Sequence, residues 1–357
     1  MNEIGSEFHL PLSINEQSQS NINIIKKPYT DYVYTRSGRE AIGFVLDEIT
    51  PRTKVALLPT YICNSMLEPF LKKGYSVEYF SIDRDFNPNL KEFAEALGKE
   101  PDVILVIDWF GMDKNQEVVS LARKHSQKIV VITDCSHNYF NELMMIESDY
   151  IIASLRKWFA LPDGAIAINC RSHFLNNIEF SDNLFYKNRK EALRLKNDYL
   201  LSRDQNLKTQ YRELLLSAEH SLEINRPVVG ISEFSLSLIN KLNIAQLKIK
   251  RVENFNALFN LLDRSICSPI LKTLANNESP FCFPILVDNN RDKLQAWLAN
   301  NGIYCPVLWP LPEFVYDNYY ESAYLSDSIL AIPCDQRYSM YDMEYISNVI
   351  RKFTGRS

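Results

Sequence analysis

The strongest constraint on the fold is a regular alternation of apolar strands and amphipathic helices between residues 54 and 169. Short β-branched runs recur through this part of the chain, and helical patterns separate most of them. The predicted strands are 54–59, 76–82, 103–108, 129–133, 150–153 and 165–169. Because parallel neighbours need a crossover connection, usually a helix, this order predicts an α/β fold with a mainly parallel sheet.

Length and composition narrow the class of protein. A chain of 357 residues suits two domains, and its net charge of −5 without a long basic run gives no support to nucleic-acid binding. We expect no membrane span, because no apolar run reaches the roughly 18 residues that a spanning helix needs. The polar N-terminus lacks a signal-peptide pattern, so a cytoplasmic location is expected. Seven scattered cysteines without CxxC spacing argue against a metal site.

Three segments are predicted from changes in pattern. Residues 1–30 form a polar N-terminal arm, 31–240 a large domain, and 241–357 a linking helix with a smaller C-terminal domain. Ser232 caps a long helical pattern that continues to about residue 262. Strand 281–287, helix 291–300, strand 303–308 and helix 341–353 then indicate a small α+β domain. Helical residues 174–222 mix acids with bases, which is typical of a solvated face.

A helix with an anion-binding start is predicted near residue 37. Ser37 suits the N-cap, and Glu40 lies three residues on, as a capping box requires. The small Gly38 and the basic Arg39 follow, where the free N–H groups of a helix start can bind an anion. An ordinary capped helix explains the same residues.

Two polar residues follow buried strands and draw attention as a pair. Asp134 comes after strand 129–133, and Lys157 comes shortly after strand 150–153. Alone, either residue has a structural explanation, an N-cap or a surface lysine. Buried together they need partners, and a pyridinium cofactor satisfies both, because the carboxylate pairs with the ring nitrogen and the lysine bonds the aldehyde. Ser154 can offer its hydroxyl to the phosphate.

The segments TDCSHNY, ASLRKW and PDGAIAI resemble the aspartate and lysine segments of fold-type-I aminotransferases. They are most similar to the DegT/DnrJ/EryC1/StrS sugar aminotransferases, and SGREAI, VILVIDWFGM and ILAIPCDQRYSMYDMEYI extend the likeness over most of the chain. The resemblance implies a seven-stranded, mainly parallel large domain, a small α+β domain and pyridoxal 5′-phosphate (PLP) as cofactor. It also implies a homodimer that moves an amino group, from glutamate, to a nucleotide-linked keto sugar.

The resemblance assigns roles to eight residues. Lys157 becomes the Schiff-base lysine and proton carrier, Asp134 pairs the ring nitrogen, and His137 lies beside the ring. Ser154, with the amides of Gly38 and Arg39 after Ser37, holds the phosphate. Tyr61 is the nearest aromatic residue to the family's stacking position. The full predicted set is Ser37, Gly38, Arg39, Tyr61, Asp134, His137, Ser154 and Lys157.

The sequence also departs from the family pattern. Arg39 replaces a small hydroxyl residue, Asp108 replaces a strand-end histidine, and the expected asparagine of the partner subunit is missing from PVVGIS. Two alternatives stay open: a PLP enzyme with a non-sugar acceptor, and a non-catalytic binding protein on the same fold. The lysine at position 157 speaks against the dehydratase branch of the family, which carries histidine there.

Overall fold

The structure is a computed structural model of the chain. It describes residues 3–10, 31–140, 147–180, 183–223, 228–274, 278–288 and 290–355. Most of the predicted N-terminal arm, residues 1–30, lies outside the described residues. No helix within these ranges is both long and apolar enough to cross a bilayer.

The described chain contains twelve strands and twelve α-helices. The strands, β1 to β12, are Ile4–Gly5, Asp31–Thr35, Val55–Pro59, Ser76–Phe80, Val103–Ile107, Val130–Asp134, Tyr150–Ser154, Ala165–Asn169, Ser268–Pro269, Phe283–Leu286, Ile303–Tyr304 and Ile329–Ile332. The helices, α1 to α12, are Gly38–Asp47, Asn64–Lys72, Leu90–Leu97, Gln116–His125, Leu184–Ser202, Gln205–Glu223, Glu233–Ile239, Ile244–Leu261, Arg291–Asn300, Glu313–Asn318, Tyr320–Ser328 and Met340–Arg351.

The central sheet has seven strands in the order β2-β8-β7-β6-β5-β3-β4. Strand β3 pairs in parallel with β4 and β5, and β5 pairs in parallel with β6. Strand β8 runs antiparallel to both β2 and β7. Every residue of β5 and β8 is buried, as expected for strands covered on both faces. The predicted α/β fold with a mainly parallel seven-stranded sheet is confirmed.

The described chain forms two compact units. The first unit comprises Met1–Ser6, Ile49–Asp149 and Ala245–Ser357, and the second comprises Glu7–Glu48 and Tyr150–Ile244. The two units are defined by the density of contacts within each of them. The predicted domain boundaries at residues 30 and 240 stay a prediction.

A small α+β core lies in the C-terminal part of the first unit. Strand β10 pairs antiparallel with β9 and β12. Its apolar side chains pack with those of α8, α9 and α12 in one buried cluster, which includes Phe255, Phe283, Leu294, Leu330 and Ile346. Burial of each such side chain stabilises the fold by about 2 kcal/mol. These C-terminal elements therefore share one buried apolar cluster, and a separate small C-terminal domain stays a prediction.

Some predicted elements have different bounds. The helical pattern after Ser232 is two helices, α7 and α8, broken at residues 240–243. The predicted strand 303–308 shortens to Ile303–Tyr304, which pairs in parallel with Ile4–Gly5. Part of the arm is thus ordered against the same chain. Gly5 is required there, because a Cβ would meet the carbonyl oxygen of Tyr304 at 2.0 Å.

Candidate active site

Helix α1 begins directly after Ser37, as the sequence predicts. Ser37 has the extended backbone of an N-cap, but its hydroxyl donates to Glu40 Oε2 at 2.9 Å instead of capping the helix. Arg36 holds the same carboxylate with Nε at 2.8 Å and Nη2 at 2.7 Å. The predicted capping box is therefore wrong, because a charge-assisted, bidentate pair with Arg36 holds the Glu40 carboxylate.

The start of α1 lies against the hydroxyl side chain that ends β7. A Cβ built on Gly38 would lie 3.5 Å from Ser154 Cβ and 4.0 Å from Ser154 Oγ. The first N–H groups of any helix lack an acceptor within the helix, and they carry partial positive charge. Ser154 is buried, and Arg39, the second residue of α1, is half-buried. A hydroxyl, helix-start amides and a guanidinium form a donor set that suits an anion.

One glycine joins this helix start to the turn that carries Lys157. Gly164 donates its N–H to the carbonyl of Arg36 at 2.8 Å. Its own carbonyl accepts from Leu155 N at 3.0 Å and from Arg156 N at 3.3 Å. Gly164 has φ of +140°, and a Cβ there would approach Ile231 Cδ1 to 3.1 Å. Only glycine suits this backbone, so the link depends on residue 164.

Lys157 ends a 3-10 turn whose neighbours are firmly anchored. Arg156 binds Glu219 with Nη1 at 2.5 Å and Nη2 at 3.2 Å. Glu219 also pairs with Arg189, whose Nε donates to the Pro162 carbonyl at 2.8 Å. Burial alone would lower the pKa of Arg156, but the Glu219 carboxylate raises it. The half-buried Lys157 side chain therefore extends from a rigid base.

The loop after Lys157 is held by a second carboxylate. Asp163 is fully buried and accepts from Ser232 N at 2.8 Å and Ser232 Oγ at 2.7 Å, and also from the Ser235 hydroxyl. Burial raises the pKa of Asp163, although these hydroxyl and amide donors oppose the rise. The start of α7 is thereby tied to the turn that contains Gly164.

In the first unit, Asp134 and His137 lie on one tight turn. Asp134 ends β6 and is buried, and its Oδ1 accepts from Ser136 N at 2.7 Å. Asn138 N donates to the Cys135 carbonyl at 2.9 Å, which closes the turn. The sequence correctly predicts a carboxylate at the carboxyl end of this strand. That is the edge where open α/β sheets bind ligands.

Aromatic rings surround the His137 imidazole. Its ring stacks on Phe281 at 4.4 Å between centroids with 11° between planes. Phe110 and Trp309 lie at 5.2 Å and 5.0 Å, each inclined by 29°. Such stacked contacts fix the plane of the ring as well as its position. The family resemblance places His137 at the cofactor but does not predict these three neighbours.

Tyr61 is enclosed in the same aromatic group. Its ring has an edge contact with Phe86 at 5.6 Å and lies 5.4 Å from Trp309. Its hydroxyl donates to the Leu308 carbonyl, and burial raises its pKa. Trp109 Nε1 donates to the Tyr61 carbonyl at 3.2 Å. Tyr61 is 0% exposed, so its stacking role stays a prediction.

The predicted residues form two local groups, each within one compact unit. Ser37, Gly38, Arg39 and Ser154 lie together, and Lys157 follows on the anchored turn. Asp134 and His137 share the other group with Tyr61, through Trp309. Sequence patterns did not connect Trp309 or Phe281 with the site, because both lie far along the chain from Asp134 and His137.

These residues can be tested against PLP, the cofactor that the resemblance implies. The cofactor carries a phosphate, an aldehyde and a basic ring nitrogen. Ser154 and the start of α1 offer the donors for the phosphate, and Lys157 offers the amine. Asp134 offers a buried carboxylate for the nitrogen. The chemistry of these residues fits the cofactor. Tyr61 is the exception, because its ring is fully buried and has no exposed face on which a cofactor ring could stack.

The fold is that of the fold-type-I, PLP-dependent transferases. No protein-family model matches the sequence, and neither does any curated protein. Solved structures do match over nearly the whole chain. The Helicobacter pylori aminotransferase PseC, which takes part in the biosynthesis of pseudoaminic acid, is similar with a TM-score of 0.66 at 14% identity and covers 98% of both chains.

Two further solved structures have the same architecture. A DegT/DnrJ/EryC1/StrS aminotransferase from Brucella abortus has a TM-score of 0.60 at 17% identity, covering 92% of this chain and 87% of its own. The PLP form of Spr1654 from Streptococcus pneumoniae, assigned as a sugar aminotransferase, has a TM-score of 0.64 at 15% identity, covering 98% and 93%. At these identities the likeness establishes the fold.

Proposed function

We propose that this protein is a PLP-dependent aminotransferase that moves an amino group from an amino acid to a keto sugar. Glutamate is the proposed donor, and a nucleotide-linked keto sugar is the proposed acceptor. The observation that carries the proposal is the joint between α1 and β7. There the helix start at Gly38 meets Ser154, and Gly164 connects both to the turn that ends in Lys157. A phosphate cradle next to a reactive amine is the arrangement that PLP requires.

Each residue has a defined task in this proposal. PLP, when bound, supplies an aldehyde and an electron-withdrawing ring that stabilises negative charge on the carbon bearing the amino group. Lys157 would hold the cofactor through its aldehyde, whose oxygen would leave as water, and its Nζ, once the donor amine has replaced it there, would carry a proton. Asp134 keeps a proton on the ring nitrogen, which strengthens the withdrawal of electrons. Ser154 Oγ and the amides of Gly38 and Arg39 hold the phosphate.

In this proposal His137 orients the cofactor ring, because the plane of its own imidazole is fixed. Stacking on Phe281 and contact with Trp309 leave the imidazole little freedom to rotate. An imidazole nitrogen held in this way can donate to or accept from an oxygen substituent on the cofactor ring. The sequence resemblance supports this placement.

The visible spectrum of the purified protein tests the cofactor step. With added PLP, the wild type should become yellow and lose the colour irreversibly on treatment with borohydride. Lys157→Ala should lose the borohydride-fixed adduct, because it lacks the attacking amine. Lys190→Ala is the matched control, since Lys190 is half-buried like Lys157 but lies on α5 with its Nζ 3.2 Å from Tyr186 Oη. Loss of the adduct in both variants would contradict the assignment of Lys157.

Amino donors test the transfer step. L-Glutamate should discharge the visible band of the loaded protein, and 2-oxoglutarate should restore it. A panel of nucleotide-linked keto sugars should then restore the band after glutamate has discharged it. Restoration only by keto acids would favour a non-sugar acceptor. A protein that shows no band with PLP would favour the non-catalytic alternative.

We further propose a cytoplasmic homodimer. The family resemblance supports the dimer, and 19 Tyr with 19 Phe supply aromatic residues of the kind that subunit interfaces use. Light scattering should give twice the chain mass of 41.5 kDa. A mass of one chain across the micromolar range would contradict it.

A further inference from the structure

Asp108 closes the end of strand β5 beside the turn that carries Asp134 and His137. It is 7% exposed, and it stands where the resembling family has a histidine. Its side chain accepts from Asn138 Nδ2 at 2.5 Å through Oδ2 and from Asp113 N at 3.3 Å through Oδ1. Burying a carboxylate costs free energy unless other groups compensate its charge. The two donors therefore stabilise the ionised form of Asp108.

The same residue also holds the other end of that turn. Asp108 N donates to the Asp134 carbonyl at 3.0 Å, which extends the pairing of β5 with β6 by one residue. Residue 108 therefore fixes the turn at its beginning through the main chain and at its end through Asn138. His137 lies between these two fixed points.

We propose that Asp108 is a positioning residue, which sets the orientation of His137 by fixing the turn from Asp134 to Asn138 at both ends. The inference rests on the proposed function, because His137 matters to it as a group beside the cofactor ring. Asp108 itself touches neither the cofactor nor the substrate in this assignment. Its action passes through Asn138.

The ionisation of the Asp108 carboxyl makes the position of the turn from Asp134 to Asn138 depend on pH. Burial, aided by the carboxylates of Asp113 and Glu278, raises the pKa of Asp108 to about 6, although hydrogen bonds from Asn138 and the Asp113 amide oppose the rise. Above about pH 6 the carboxylate accepts strongly from Asn138. Below it, protonation weakens that bond and loosens the turn.

Two variants separate a positioning role from a general effect on folding. Asp108→Ala removes the acceptor, and Asp108→Asn keeps one acceptor oxygen but cannot titrate. Asp102→Asn is the matched control, because Asp102 is a buried aspartate at the opposite end of β5 that accepts from the amides of Thr53 and Lys54. All variants should be compared at equal folded fraction.

The first readout uses the cofactor-free protein. Carbon-13 labelling of the five histidines, with His137→Asn to assign the signal, reports the His137 ring directly. Near neutral pH the His137 signal should be displaced in Asp108→Ala, and in Asp108→Asn and Asp102→Asn it should stay close to that of the wild type.

The second readout is the rate at which L-glutamate discharges the band of the PLP-loaded protein. Asp108→Ala should lower this rate about ten- to a hundredfold, the worth of one charge-assisted hydrogen bond. Asp108→Asn should retain most of the rate and lose its fall below pH 6. A His137 signal and a rate that both match the wild type in Asp108→Ala would overturn the proposal. If PLP gives no band in the wild type, the proposed function fails, while the histidine signal still decides the positioning.

Discussion

Two aspartates at opposite ends of β5 should respond to neutralisation in opposite ways. Relative to the wild type, the cofactor-free Asp108→Asn variant should become more stable as pH rises from acid to neutral. Asp102→Asn should be less stable than the wild type at neutral pH. Both residues are buried, at 7% and 3% exposure, so solvent screening does not explain the difference. The two pKa values differ because the hydrogen-bond donors around the Asp102 carboxylate outweigh its burial, whereas those around Asp108 do not.

The magnitude for Asp108 follows from its raised pKa. A rise from 3.8 to about 6 means that the folded state binds the proton more tightly than the unfolded state does. Stability is therefore greatest below the unfolded pKa and is lost as pH rises through about 6. At about 1.4 kcal/mol per pKa unit, the full cost at neutral pH is about 3 kcal/mol. Roughly 1.4 kcal/mol of it should appear between pH 5 and neutral pH.

Asp102 has the opposite sign. Burial would raise its pKa, but the backbone amides of Arg52, Thr53 and Lys54 lower it below the usual value. Its contribution is present above the unfolded pKa and is lost as pH falls. Neutralising Asp102 therefore removes stability at neutral pH, and the deficit should shrink in acid.

Urea unfolding at about pH 5 and near neutral pH measures the effect for Asp108, and a further series at about pH 3 measures the effect for Asp102, whose pKa is lowered below 3.8. The decisive quantity is the change in the difference between variant and wild type from one pH to the other, since a constant offset from the new amide group cancels. Asp108→Asn should gain stability relative to the wild type from about pH 5 to neutral pH, whereas Asp102→Asn should stay level over that interval and lose stability relative to the wild type from about pH 3 to about pH 5. Curves for Asp108→Asn and the wild type that stay parallel would refute the assignment of a buried, weakly compensated carboxylate.

Three further changes test the joint around Lys157. Gly164→Ala should cost about 1–3 kcal/mol in urea unfolding, because φ of +140° strains an alanine and its Cβ would approach Ile231 Cδ1 to 3.1 Å. Gly302→Ala should cost less, because its φ of +75° is the milder strain and no heavy atom lies within 4 Å of the added Cβ. Ser154→Ala should weaken PLP binding about tenfold in a fluorescence titration, the value of one phosphate hydrogen bond, and unchanged binding would exclude Ser154 from the cradle. Glu219→Ala leaves two arginines without their shared carboxylate and should cost about 2 kcal/mol, against less than about 1 kcal/mol for Glu191→Ala in an exposed pair with Arg194.

The strands of the central sheet could be predicted because their residues are buried on both faces. Runs such as 103–107 and 165–169 have no polar side to obscure them, and their bounds in the structure match the prediction within about one residue. The break at residues 240–243 could not be predicted in the same way. No proline or glycine interrupts the pattern there, so the break depends on packing that a single helical period does not report.

Local patterns also predicted only part of the candidate site. The start of α1 and the turn at Lys157 follow from short segments, although the partner of Glu40 does not. Arg36, four residues before it, takes the carboxylate that the capping box would use. The enclosure of His137 is non-local: Phe281 and Trp309 come from the C-terminal third of the chain, and no spacing rule connects them to position 137.

The distribution of raised and lowered pKa values supports the position of the site independently of the family resemblance. Asp102 and Asp335 have lowered pKa values because amides or Arg337 compensate their burial, and each serves as a structural joint. Asp108 and Asp163 have raised pKa values, because burial outweighs their donors. These two lie beside the turn of His137 and on the loop after Lys157. Carboxyls that cost stability near neutral pH are found preferentially at functional sites. Their placement beside both groups of predicted cofactor residues is the pattern expected if those groups serve catalysis.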